Sequence, residues 1–250
     1  MMKIFLDAGH NYAPPDTGAS GHGLREQDIT FKVADTVRAL LELHGVEVKM
    51  SRRNITDILG RTISESLNLR ADMSNNFGAD YCVSIHCNAF NGAAFGTETF
   101  AFTRGGKGEQ LANKIHKNLV GLGLRNRGVK FSQELFMLRR PKAPAVLVEL
   151  AFIDNANDNN ILRSRQFELA EAVAKGILEQ LEIEYKGGES AMEDYFNDTK
   201  GHWAEQTINE LQEFGIINGD GDGNFRPNDT ATRAEVASMV RNVVRYIMGK

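Results

Sequence analysis

Lys3-Ile4-Phe5-Leu6-Asp7-Ala8-Gly9-His10 is an apolar run closed by a glycine and a histidine. Six residues suit a short buried strand. Gly9 lets the chain turn sharply, which leaves His10 at the strand's C-terminal end. Tyr81-Cys82-Val83-Ser84-Ile85-His86 repeats the pattern and also ends in histidine. Working outward, strand-like runs at 3–8, 46–50, 81–86 and 145–152 alternate with helical patterns at 26–43, 64–77, 108–122 and 166–183. In the last helix Phe167, Ala170, Val173, Ala174, Ile177 and Leu181 form one stripe at spacings of three and four. Such alternation predicts an α/β fold, a mostly parallel sheet flanked by helices. Between residues 86 and 149 there is room for one strand, a helix and a loop.

In α/β proteins, side chains at the C-terminal ends of parallel strands face the crevice that holds the site. His10 and His86 are predicted there. Glu26 follows the glycines Gly18, Gly21 and Gly23 and opens a helix, where a carboxylate also suits the helix dipole. Glu149 interrupts Ala145-Val146-Leu147-Val148-Glu149-Leu150-Ala151-Phe152-Ile153, which is otherwise apolar. An unpaired carboxylate buried there would cost several kcal/mol. Facing a metal or a cleft avoids that cost, and so does an ion pair with a buried arginine. Two imidazoles and two carboxylates on separate segments form the donor set of a catalytic zinc site, with three ligands, one open position and a base. That chemistry is hydrolytic. The other histidines read more plainly. His22 lies in a glycine loop, His44 at a helix end before Gly45, and His116 in a helix, where it is predicted on the surface. None of the three is expected to bind metal.

The 250 residues are 42% hydrophobic and 25% charged, a globular composition long enough for more than one domain. No apolar run is long enough to span a bilayer. The stretch after Met1-Met2-Lys3 ends early at Asp7, so no secretory signal is expected. Cys82 and Cys87 fall on opposite faces of a continuing strand, which argues against a disulfide between them. Both features predict synthesis in a reducing cytoplasm. The net charge of −4 sits in the tail: residues 193–250 hold 10 acidic and 6 basic side chains. Nothing resembles a nucleic-acid footprint.

Taken in order, Leu6-Asp7-Ala8-Gly9-His10, Leu24-Arg25-Glu26, Val46–Met50 with Ser51-Arg52, Leu69-Arg70-Ala71-Asp72, Ala79 through Ala89, Gly96-Thr97-Glu98-Thr99 and Pro144-Ala145-Val146-Leu147-Val148-Glu149 resemble the boxes of the zinc-dependent N-acetylmuramoyl-L-alanine amidases of the Amidase_3 type. Two departures flank the first histidine: Ala8 stands where the family usually has proline, and Asn11 where it has glycine. The resemblance implies one catalytic Zn2+ held by His10, Glu26 and His86, with Glu149 as general base. It further implies cleavage of the amide between N-acetylmuramic acid and the first L-Ala of the peptidoglycan stem peptide. A substrate outside the membrane and no signal segment together suggest an endolysin released by a holin, or an autolysin released on lysis. Two rival readings remain. A non-catalytic wall-binding protein would not need all four site residues. A zinc peptidase acting on stem peptides alone would give different products, since only an amidase frees stem peptides with L-Ala amino termini.

The domains are expected at 1–183 and 194–250, joined by a polar, glycine-containing linker at 184–193. The tail shows one helix over Trp203–Phe214 and another opened by Thr232-Arg233-Ala234-Glu235, a capping box, with Val236, Val240, Val243, Val244 and Ile247 along one side. Two helices in under 60 residues bury little surface alone, so a partner is expected. The Phe196-Asn197-Asp198, Gly201-His202-Trp203-Ala204, Gly215-Ile216-Ile217, Gly219–Pro227 and Thr232–Glu235 pieces resemble one S-layer homology motif. That resemblance implies binding of a secondary cell-wall polymer, with Trp203 and Arg233 as candidate contacts. Such domains usually carry three motifs and this chain carries one, so a homo-oligomer through the tail is expected. Asp220, Asp222 and Asn224 have the first spacings of a calcium loop, but Phe225 stands at the turn glycine and Ala231 at the final carboxylate. Turn chemistry explains the string better.

Overall fold

The structure is a computed structural model that describes residues 1–186, 195–202 and 204–247. Trp203 and most of the expected linker lie outside the described residues. Two compact units emerge, Met1–Tyr185 and Lys186–Lys250. In the first, β1 (Lys3–Ala8), a minimal hairpin of β2 (Ser20–Gly21) and β3 (Leu24–Arg25), α1 (Glu26–Leu43), β4 (Glu47–Met50), α2 (Ile63–Phe77) and β5 (Tyr81–Asn88) follow one another. Then come β6 (Thr97–Ala101), α3 (Lys107–Gly121), β7 (Asn126–Phe131), a short α4 (Phe136–Arg139), β8 (Ala145–Phe152), α5 (Ala156–Ser164) and α6 (Gln166–Leu181). The main sheet runs β4-β1-β5-β8-β6-β7. Its first four strands are parallel, β8 and β6 are antiparallel, and β6 and β7 are parallel.

Residues 86–149 therefore hold two strands, not the single one expected. Neither β6 nor β7 is among the strand runs read from the sequence; β7 is Asn126-Arg127-Gly128-Val129-Lys130-Phe131. It lies at the sheet edge, where polar and charged residues protect the unpaired backbone and erase the apolar signature of a strand.

Strand alternation divides the core. Ile4 and Leu6 of β1, Val83, Ile85 and Cys87 of β5, and Val146 and Val148 of β8 join α1, α3 and α6 in one large cluster. Phe5, Cys82, Ala145 and Leu147 point the other way, against Ala71 of α2 and Met137 and Leu138 around α4. Cys82 and Cys87 thus sit on opposite faces as free, buried thiols. The period of two sets the site as well. Asp7, Ser84, His86 and Glu149 continue the register of Phe5, Cys82 and Leu147, on the face opposite the large core.

His116 corrects an expectation. It is 6% exposed rather than on the surface. Its Nδ1 lies 3.3 Å from Thr99 Oγ1 and its Nε2 2.8 Å from Asn126 Oδ1, so it ties α3 to β6 and the start of β7. A helical histidine facing two strands with matched polar partners is buried without penalty.

In the second unit, α7 (Glu205–Glu213) and α8 (Arg233–Ile247) surround Phe196, Ile208, Ile216 and Ile217. The Glu235 N–H donates to Thr232 Oγ1 and the Thr232 N–H to Glu235 Oε2, the reciprocal bonds of a capping box. Asp220 Oδ1 accepts the N–H groups of Asp222 and Asn224, so the glycine-aspartate string is closed by the Asp220 side chain. Among the described residues, no helix is long and apolar enough to cross a membrane.

Candidate metal centre

His10 follows β1 with φ at 66°, a left-handed conformation that a non-glycine residue adopts only when its surroundings enforce it. Glu26 is the first residue of α1 and His86 lies near the end of β5. His10 Nε2 is 3.2 Å and His86 Nδ1 3.0 Å from the same Glu26 oxygen, Oε1. One donor atom from each of the three residues lies within 4.8 Å of the others, close enough for one metal ion to bind all three. Two glycines make the approach possible. A Cβ on Gly9 would come within 2.5 Å of the His86 ring, and one on Gly18 within 2.5 Å of Glu26 Oε2.

The three side chains are fixed from behind. Glu26 Oε2 accepts the Ala19 N–H and Oε1 the Cys87 N–H. His10 Nδ1–H donates to Asp16 Oδ1 at 2.9 Å, which turns Nε2 toward Glu26. Asp16 Oδ2 accepts from Ser66 Oγ and Arg70 Nη1. Arg70 also makes a two-pronged pair with Asp7, through Nε and Nη2, and Ser84 Oγ donates to the same carboxylate. Arg70 is 1% exposed and Asp7 fully buried. Asp7, Arg70 and Ser84 lie within the family-like stretches of sequence without an expected role, and Asp16 lies outside them. A carboxylate six residues after the first histidine was the available signal for Asp16.

The electrostatics follow from this packing. Burial alone would lower the His10 pKa, but the bonds to Asp16 and Glu26 outweigh it and raise it to about 9. Burial opposes ionisation of Glu26, yet His10 and His86 hold it well below the usual carboxylate range. An imidazolium against a carboxylate is what this donor set becomes without a cation, so the residues fit a divalent metal that would replace the proton.

Glu149 pairs in register with His86 across β5–β8 and with Glu98 across β6–β8. No ion pair to Glu149 occurs among the described residues. The arginine and lysine that a buried ion pair would need, Arg127 and Lys130, both go to Glu98 Oε2, at 2.8 and 2.6 Å. Asn88 Nδ2 donates to the other Glu98 oxygen. Glu149 Oε2 is buried without a hydrogen-bond partner. Burial first, then the charges of Glu26 and Glu98, raise its pKa to about 8. A carboxyl group of that basicity is poised to take and return a proton near neutrality. Glu98 and its three partners were absent from the sequence-level site, because their cations lie on the edge strand that escaped detection.

The remaining histidines are engaged elsewhere. His22 Nε2 lies 3.1 Å from the Asp154 carbonyl, and His44 caps α1 with Nδ1 2.7 Å from the Leu40 carbonyl. In the second unit Arg233 is exposed as the first residue of α8.

Residues 4–179 match the N-acetylmuramoyl-L-alanine amidase family and residues 195–237 the S-layer homology domain. The chain is 34% identical over 198 residues to an endolysin of Bacillus phage SPP1, covering 75% of this chain and 69% of that protein. It is 34% identical over 183 residues to the sporulation-specific N-acetylmuramoyl-L-alanine amidase of Bacillus subtilis, covering 71% and 67%. Among solved structures, the catalytic domain of CwlV, an amidase from Bacillus (Paenibacillus) polymyxa, superposes with a TM-score of 0.65 at 29% identity, covering 74% of this chain and all of that one. A family match over most of the chain, carried on the α/β unit that holds His10, Glu26, His86 and Glu149, establishes that the chain belongs to the N-acetylmuramoyl-L-alanine amidases.

Proposed function

We propose that this peptidoglycan amidase is zinc-dependent, with His10, Glu26 and His86 holding one Zn2+ and Glu149 acting as general base. The observation that carries the reading is the convergence of His10 Nε2 and His86 Nδ1 on one Glu26 oxygen. When bound, zinc supplies a Lewis acid that polarises a carbonyl and lowers the pKa of water toward neutrality. The chain's own residues do the rest. Asp16 fixes the His10 tautomer. Glu149, unpaired and basic, takes a proton from the attacking water and returns it to the departing L-Ala amine. The bond broken is the amide between the lactyl group of N-acetylmuramic acid and L-Ala.

Glu149→Gln keeps size and loses basicity. It is expected to keep about one metal per chain by elemental analysis and to lower muropeptide hydrolysis by roughly 10²- to 10⁴-fold. Near-normal hydrolysis by that variant would remove Glu149 from the reaction. Mass spectrometry of the products checks the bond: stem peptides with free L-Ala amino termini and intact glycan are expected.

For the second unit we propose attachment to a secondary cell-wall polymer, with Arg233 and Trp203 as contacts, and release of the enzyme to the wall by a holin or by lysis. Arg233 is exposed beside a capped helix start, and a guanidinium grips a polymer carboxylate with a fork that lysine lacks. Arg233→Lys is expected to weaken wall pull-down and leave muropeptide hydrolysis unchanged. Equal binding by the variant would exclude Arg233 as a contact.

A further inference from the structure

The amidase unit carries a concave site at the end of its sheet away from His10 and His86. The loop after β6 and the loop before β8 enclose a cleft of about 330 Å3. Three cations line it, Lys107, Arg139 and Lys142, and no carboxylate does. Arg104 lies on the same β6–α3 loop, with its guanidinium 4.7 Å above the Phe131 ring. Lys107, Arg139, Lys142 and Arg104 are exposed, and among the described residues none forms an ion pair. Glu109, in the first turn of α3, is turned back onto the Gly105 N–H. Arg140 alone is compensated, at 3.9 Å from Asp72.

This concentration of charge is not a general property of the unit. Residues 1–192 hold equal numbers of acidic and basic side chains, so four uncompensated cations around one cleft are a local arrangement. Such a cleft focuses the field and gathers anions. Its walls are partly apolar, with Phe102, Leu138, Pro141 and Pro144 between the cations. Charges alternating with apolar surface match a chain in which phosphates alternate with short carbon linkers. The backbone adds to the side chains: α3 begins at this cleft after Gly105-Gly106, and no side chain caps its first N–H groups. Ala145 lines the cleft and begins β8, four residues before Glu149, about 13 Å along the strand. A ligand here would leave the reacting groups free.

We propose that this cleft binds an anionic phosphodiester polymer of the cell wall, holding the amidase unit to the matrix from the side away from its reaction centre. The choice of a wall polymer rests on the chain's being a wall hydrolase, whereas the binding itself does not depend on hydrolysis. The test uses the full chain and soluble poly(glycerol phosphate), followed by titration calorimetry. The Arg139→Ser/Lys142→Ser double variant should bind about tenfold more weakly, with a shallower salt dependence, since two exposed charge contacts are lost. Arg139→Lys/Lys142→Arg should restore most of the affinity, because a phosphate accepts either cation. Soluble muropeptide hydrolysis should be unchanged in both variants, which separates this site from the reaction centre. Failure of the wild-type chain to bind, or equal binding by the Ser variant, would overturn the proposal. So would equally tight binding of polyglutamate or a single-stranded oligonucleotide, which would reduce the cleft to a generic polyanion patch. Complete competition by inorganic phosphate at matched phosphate concentration would assign the cleft to the free ion and overturn the polymer.

Discussion

Asp16 sets how the first histidine would meet a metal, through the ring nitrogen that faces away from Glu26. Its bond to Nδ1 fixes the tautomer of His10 and, with Glu26, raises the imidazole pKa to about 9. Metal binding must therefore displace a proton over the whole neutral range. The apparent affinity for Zn2+ should weaken about tenfold for each pH unit lost between pH 8 and pH 6, as one-proton release requires. Competition with a chromogenic chelator at three pH values measures the slope. Asp16→Asn removes the charge and leaves the shape; it should weaken metal binding by roughly 10- to 100-fold, the usual effect of losing a ligand's orienting partner. Unchanged affinity in that variant would mean that Glu26 alone orients the ring.

Asp7 and Arg70 make the complementary case, a buried pair with a structural duty. Burial disfavours the Asp7 charge, but Arg70 overcomes it, and Arg70 and Ser84 hold the carboxyl far below its ordinary range. A carboxylate depressed on folding stabilises the fold fully above its unfolded pKa, near 4, and loses that contribution as pH falls toward the folded value. Urea unfolding between pH 5 and pH 2.5 should show this loss, with a shallower fall in Asp7→Asn. Arg70→Met strands two carboxylates and should cost about 3–5 kcal/mol at pH 7. These residues stood in the sequence as ordinary members of a strand and a helix. Their partnership spans 63 positions and exists only after β1 and α2 pack together. Glu149 was legible for the opposite reason: a lone carboxylate within an apolar strand is anomalous before any contact is known.

At the scale of elements, apolar patterning was the legible signal. β1, β5 and β8 are covered on both faces, so their apolar runs announce them and place His10, His86 and Glu149 within reach of one another. β7 is an edge strand that carries Arg127 and Lys130, and the Glu98 cluster was hidden with it. His116 was misplaced because its helix turns a polar group inward, and periodicity alone assigns such a group to solvent. The α8 start is the case where local chemistry is sufficient, since both bonds of the Thr232–Glu235 box lie within four residues. Thr232→Ala should destabilise the tail by roughly 1 kcal/mol, the usual value of an N-cap. Chemical denaturation followed by the Trp203 fluorescence would report it, because this is the chain's single tryptophan.

The whole molecule consists of two units of unequal independence. Met1–Tyr185 has a two-sided core and contains every residue assigned to the reaction, so a 1–185 fragment should hydrolyse soluble muropeptides at about the full-chain rate. Strong activation or loss in the fragment would show that the tail gates or completes the site. Lys186–Lys250 is different. Among the described residues its core has four buried apolar side chains, whereas Val236, Val240, Val243 and Val244 of α8 are between 37% and 57% exposed. Burying a side chain of that size is worth about 1.5–3 kcal/mol, and a unit this small has little else to stabilise it. A second copy of the same valine stripe is the partner that every solution of the protein contains. Association would also strengthen attachment, since one shallow site binds a polymer poorly while several copies bind it with avidity. Light scattering of the full chain should therefore give a mass above that of one chain. Val240→Glu puts a charge in the centre of the stripe; it should return the mass to that of a single chain and weaken wall pull-down together, with muropeptide hydrolysis unaffected. A full chain that scatters as a monomer and binds walls no less well with glutamate at that position would leave the stripe without a role in assembly or attachment.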